Sequence, residues 1–203
     1  MDIRSRLVVA VSIAAAGVSL AGCSDHAATS AVSSASKSVS APSSSTPLSS
    51  APTGSVGGID ATIAAEDAAP LRPGGDPLRF TVTLTNTAAD DIPDVGLVVS
   101  LGHCSCGRPG ASMMPSGTMR MRDPQTEDWV DAPYVREGTG ADFLGRTLVP
   151  PFVLGQGQTL TYDLEMRLDP DPAVTAGTSQ VDVAVKTAAE SGTAASLPIT
   201  VGP

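Results

Sequence analysis

Between Thr159 and Leu168 the chain alternates without a break. Leu160, Tyr162, Leu164, Met166 and Leu168 are apolar, and Thr159, Thr161, Asp163, Glu165 and Arg167 are polar. Successive side chains of a β-strand point to opposite faces, so a period of two fits a strand with one buried face and excludes an amphipathic helix. Phe80-Thr81-Val82-Thr83-Leu84-Thr85 repeats the pattern with threonine on the wet side. Ile59–Ile63, Val181–Val185 around three valines, and Leu197–Val201 as a final edge strand extend it. Val95-Gly96-Leu97-Val98-Val99-Ser100-Leu101 is apolar on both parities, which predicts a central strand covered on two sides. Met119–Arg122 and Trp129–Pro133 flank an Asp123-Pro124 turn start, which predicts a hairpin with Trp129 packed inward. Residues 134–149 carry Gly138, Gly140 and Gly145 among Tyr134, Phe143 and Leu148, the pattern of a long ordered loop with apolar pins.

No stretch after residue 22 sustains a 3.6-residue repeat. Seven or eight short strands separated by turn residues predict an all-β, antiparallel sandwich spanning residues 58–203. The segments Phe80–Asn86 and Leu154-Gly155-Gln156-Gly157-Gln158-Thr159-Leu160-Thr161 resemble bacterial immunoglobulin-like cell-surface domains, in which a "Val-Thr-Asn" strand end and a "Gly-Gln-Thr" strand start recur. The resemblance implies an immunoglobulin-like sandwich and leaves activity open, because that fold hosts many functions. The domain holds Cys104 and Cys106 and no cysteine pair at the spacing of an inter-sheet bridge.

The N-terminus follows a different logic. Arg4 and Arg6 precede an uncharged apolar run from Leu7 to Leu20, shorter than the roughly 20 residues of a spanning helix. A basic start, a short apolar core and small residues beyond it form a signal-peptide pattern over residues 1–22. Leu20-Ala21-Gly22-Cys23 resembles the lipobox of bacterial lipoproteins. The resemblance implies cleavage before Cys23 and acyl chains on its thiol and new amine. One chain binds a membrane weakly, at about 0.8 kcal/mol per buried methylene, and two or three hold it. The expected location is the extracytoplasmic face of the cell membrane.

From Ser24 to Ser55 the chain has 13 serines among 32 residues and no apolar periodicity. Residues 23–57 are therefore expected to form a disordered stalk with a reach on the order of 30–35 Å. Loss of the segment bearing Arg4, Arg6 and Asp2 takes the net charge from −9 to −10. Such acidity argues against nucleic acid as a partner. Abundant Ala, Gly, Pro, Asp and Thr with few Lys is the composition of a high-GC, actinobacterial source.

Gly102-His103-Cys104-Ser105-Cys106-Gly107 is the chemically unusual stretch, followed by Met113, Met114, Met119 and Met121. An oxidising exterior and an even cysteine count point to a Cys104–Cys106 disulfide, whose small ring would be more reducible than a structural bridge. Two reduced thiols are the second possibility. The third is a soft-metal set of His103, Cys104 and Cys106, suited to copper. The methionines fit core packing better than metal ligation, with Met119 and Met121 on one strand face.

Catalysis has little to stand on. His26 lies in the stalk, His103 is the domain's only histidine, and nucleophile-elbow, zincin and phosphate-loop motifs are missing from the sequence. The expected function is a non-enzymatic interaction or scaffolding module on a lipid anchor, with a protein or cell-wall partner and no cofactor. Loops 102–118 and 134–149 are the expected contact surface, with Tyr134, Arg136, Asp142 and Phe143 as binding candidates. A copper-binding or thiol-redox accessory lipoprotein is the alternative.

Overall fold

The computed structural model describes residues 53–67, 69–136 and 144–203. The signal segment, Cys23, most of the expected stalk, Asp142 and Phe143 lie outside those residues.

Within them the chain forms eleven strands. These are β1 (Gly54–Val56), β2 (Ile59–Ala65), β3 (Leu78–Asn86), β4 (Ile92–Leu101), β5 (Gly117–Arg122), β6 (Trp129–Ala132), β7 (Val135–Arg136), β8 (Phe152–Leu154), β9 (Thr159–Leu168), β10 (Gly177–Lys186) and β11 (Ser191–Val201). One sheet has the order β1-β2-β3-β9-β5-β6, and the other has β11-β10-β4-β7 with β8 also on β4. The quartet β2-β3-β9-β5 and the trio β4-β10-β11 reproduce the two sheets of an immunoglobulin-type sandwich. Every strand pair is antiparallel except β4–β7.

All eight expected strands are present, and the expected count of seven or eight is corrected to eleven. The additions β1, β7 and β8 have only two or three residues each, too few for a period of two to show. β1 pairs with β2 from Gly54 to Val56, so the sandwich starts upstream of the expected boundary at residue 57.

The inward alternation of β3 and β9 builds the core. Phe80, Val82, Leu84, Leu164, Met166 and Leu168 are all buried. On the outer face Thr83 and Thr161 hydroxyls meet at 3.1 Å, as do those of Thr85 and Thr159. Two rows beyond the Thr83–Thr161 pair, Glu165 takes Arg79 at 3.6 Å and Arg120 at 3.1 Å. β4 is buried on both faces for two reasons. Val95, Leu97, Val99 and Leu101 join the main core, while Val98 packs outward with Val135, Ala184 and Leu144.

The hairpin β5–β6 pairs Met119 with Ala132 and Arg122 with Trp129. Its turn is held by Asp123 Oδ1, which accepts the amides of Gln125 and Thr126 at 2.7 and 3.1 Å. Trp129 departs from expectation: it is only half-buried and outside the core cluster. β6 is the edge strand of its sheet, paired on one side with β5.

The two resemblance motifs meet at one end of the sandwich. Asn86, fully buried at the close of β3, donates Nδ2 to the carbonyls of Asp90, Leu154 and Gly155. Its Oδ1 accepts the Ala88 amide at 2.8 Å, and its own amide donates to Gln158 O at 3.0 Å. Gln158 Oε1 in turn accepts the Gly155 amide.

Candidate functional site

Beyond Leu101 the chain keeps following β10. Gly102 N donates to Gln180 O and Ser105 N to Thr178 O, each at 2.9 Å. Residues 104–113 then fold into a small hairpin in which Cys104 and Met113 exchange backbone hydrogen bonds of 2.8 and 3.0 Å. Its tip closes through Ala111 N to Arg108 O at 3.0 Å. Pro109 and Gly110 occupy the central turn positions, and Gly110 supplies the φ of +81° that such a turn requires.

At the base, Cys104 and Cys106 are bonded to each other with their Cα atoms 5.1 Å apart. Both are fully buried in the main core. Thr175 fastens the same turn by donating its amide and hydroxyl to Cys106 O at 2.6 and 3.0 Å. His103 and Ser105 alternate with the cysteines and are exposed. Of the set His103, Cys104 and Cys106, the structure buries the two cysteines, bonded to each other, and leaves His103 exposed. Among the described residues, no three His, Cys, Asp or Glu side chains converge as metal ligands. Met119 is buried, and Met113 and Met121 pack against the core.

Tyr134 and Arg136 bring the second candidate loop to the first. β7 lies parallel to the end of β4, with Val135 opposite Ser100 and Arg136 opposite Leu101. Tyr134 OH donates to Pro115 O at 2.9 Å, and Arg136 Nη1 donates to Met114 O at 3.3 Å. Tyr134 is thus a strut between segments, half-buried, with its hydroxyl spent inside the protein. Burial pushes its phenol well above the ordinary 10.0; Arg136 lowers it slightly and Asp169 raises it. Burial likewise raises Tyr162.

These are the chain's two tyrosines, so their titration is directly readable. A phenol raised in the folded state contributes stability that is fully present below the unfolded value near pH 10 and is lost as pH rises toward the folded value. Tyrosinate absorbance of the native protein should rise at higher pH than that of the urea-unfolded chain. Overlapping curves would show the phenols to be exposed.

Between the 104–113 hairpin and the start of β10 lies a cleft of about 520 Å³, lined by His103, Ser105, Ser112, Thr178 and Gln180. Ser105 Oγ accepts the Thr178 amide at 2.9 Å and sits 3.2 Å from Thr178 Oγ1. Gln180 Nε2 donates to both carboxylate oxygens of Asp182, at 3.0 and 2.9 Å. Asp182 is buried, and its remaining partner is the Ser196 hydroxyl, which donates to Oδ1.

No known protein family matches the chain, and comparison with curated proteins finds no match. Among solved structures it is similar to AvmM, which catalyses macrocyclization in alchivemycin A biosynthesis. Identity is 12% and the TM-score 0.44, over 72% of this chain and 89% of that one. It is also similar to part of a family 123 glycoside hydrolase from Clostridium perfringens. There the identity is 8% and the TM-score 0.34, over 66% of this chain and 21% of the hydrolase. Neither likeness is close enough for those activities to bear on this chain.

Sequence reasoning singled out His103, Cys104 and Cys106 but missed Thr175, Thr178, Gln180 and Asp182. Gly177–Gln180 has no apolar alternation, so the strand legible in the sequence starts only at Val181. Only the pairing of β10 with the chain beyond Leu101 places Thr178 and Gln180 beside the hairpin, with Asp182 behind Gln180.

Proposed function

We propose that the chain is a lipid-anchored envelope protein that displays its sandwich as a non-enzymatic interaction module at the extracytoplasmic face of the membrane. The anchor rests on Leu20-Ala21-Gly22-Cys23 directly after the apolar run. One observation carries the module: Tyr134 and Arg136 bond the carbonyls of Pro115 and Met114, so two loops distant in sequence form one surface at one end of a rigid sandwich. The buried disulfide and Thr175 hold the first of those loops in shape. A surface tied together at Met114, Pro115, Tyr134 and Arg136 binds with little ordering cost, which favours recognition of a protein or a cell-wall component.

Two measurements test this reading. Metabolic labelling with a fatty acid should mark the wild-type chain and leave Cys23→Ser unlabelled and released from membranes. Labelling that survives the substitution sinks the anchor. Immobilised full chain should retain an envelope component, with retention reduced by Arg136→Ala, whose guanidinium lies on the joined surface. Equal retention by the variant would remove that surface from the reading.

The disulfide has its own test. The intact mass of the exported chain should be two hydrogens below the reduced value, and native alkylation should add nothing, because both sulfurs are fully buried. Two alkylatable thiols would instead make the His103–Cys106 turn a reactive centre.

A further inference from the structure

We infer that the cleft between the 104–113 hairpin and β10 binds an uncharged glycan, an inference that rests on reading the sandwich as a binding module. The chemistry of the lining selects the ligand class. His103, Ser105, Ser112, Thr178 and Gln180 supply hydroxyl, amide and imidazole groups, and the other lining residues are small. Lysine, arginine and carboxylate side chains are missing from the lining. A charged ligand would leave water without a counter-charge, and a peptide's apolar anchors would find no apolar pocket. A polyhydroxylated neutral ligand matches hydroxyls and amides group for group. The volume of about 520 Å³ falls within the roughly 300–1,000 Å³ of small-ligand sites.

The cleft is also prepared in advance. Asp182 is 4% exposed and takes Gln180 Nε2 on both oxygens, which fixes the amide and leaves Gln180 Oε1 as an open acceptor among the described residues. The Asp182 charge behind that amide, in a chain of net charge −9, disfavours phosphate or carboxylate ligands. Ser105 and Thr178 hold each other through their hydroxyls, and Ser112 and His103 line the same cleft, exposed. Their side chains make no hydrogen bond to another described residue, so both can turn to a ligand. His103 adds a flat ring against which a sugar face can lie.

The experiment titrates the full chain, in mild detergent, with three soluble neutral polysaccharides: a mannan, an arabinogalactan and a β-glucan. An anionic glycerol-phosphate polymer and a mixed peptide pool serve as contrasts. Saturable binding of at least one neutral polysaccharide is expected, with little dependence on salt because no ion pair forms. Ser112→Ala and Gln180→Met should each weaken it roughly three- to tenfold, the loss of one neutral hydrogen bond. Ser112→Ala should leave the melting temperature unchanged, which separates lost contact from lost fold. The inference is overturned if no neutral polysaccharide binds, if both variants bind like wild type, or if only the anionic polymer or peptides bind. If the immobilised chain still retains an envelope component through the Arg136 surface, the glycan assignment alone has failed. If nothing is retained in either experiment, the module reading fails with it.

Discussion

Replacing Asn86 by alanine should destabilise the domain by about 3–5 kcal/mol, a large share of the 5–15 kcal/mol that holds a typical domain together. Asn86 is 1% exposed, and its side chain makes four hydrogen bonds: three carbonyls, of Asp90, Leu154 and Gly155, and the Ala88 amide. Alanine leaves those backbone groups without partners where water reaches poorly, and each net bond is worth about 1 kcal/mol before the desolvation of its orphaned partner is counted. The loss is concentrated, because Leu154 closes β8 and Gly155 opens the turn into β9. Thr87→Ala is the contrast: the Thr87 hydroxyl donates to Gly58 O at an exposed site, so its removal should cost under about 1 kcal/mol. Urea unfolding of the two variants measures the difference. Similar midpoints would mean that Asn86 is not the tie it looks to be.

Gly177→Ala should uncouple the candidate site from the sandwich. A Cβ at this position would stand 2.7 Å from Cys106 Cα, Cys106 N and Ser105 C. All three are backbone atoms of a turn already fixed by a buried disulfide and by Thr175, so they cannot rotate aside as a long side chain would. Overpacking of this kind costs about 1–3 kcal/mol, and the rigid surroundings place this case at the upper end. The expected signature is local: hydrogen exchange should accelerate at the amides of Ser105 and Thr178, which pair with each other's residue, before it accelerates in β3 or β9. Gly145→Ala is the matched control, since no other described residue lies within 4 Å of its Cβ. Unchanged exchange at Ser105 and Thr178 in the Gly177 variant would show that hairpin and β10 move independently.

These two positions also mark where sequence reading succeeds and where it stops. Asn86 and Gln158 were visible as strand-end and strand-start residues within a resemblance, because turn chemistry is local. Their hydrogen bond to each other was not visible, since 72 residues separate them and no local pattern records the distance. Gly177 carried no signal of its own. Nothing in its neighbours says that the Cys106 backbone passes within contact distance. Tyr134 and Arg136 looked like contact residues because they mix aromatic and charged groups in a loop. The structure turns Tyr134 inward on Pro115, and a half-buried strut has the same sequence signature as a binding aromatic.

The strands themselves were legible because burial on one face imposes a period of two, which any long strand writes into its own residues. β3 and β9 show it plainly, the two-sided β4 is apolar on both parities instead, and β1, β7 and β8 are too short to show it. The sequence alone also determined the apolar run before Cys23, the serine-rich stretch and the Cys104–Cys106 spacing, all of which are properties of consecutive residues. Tertiary structure decided what those elements meet: which side chains cover the outer face of β4, which side of the Cys104 turn is buried, and that Thr178 and Gln180 line a cleft with the hairpin. Such meetings depend on chain closure over tens of residues, and hydrogen bonds and packing fix them only once both sheets are in place.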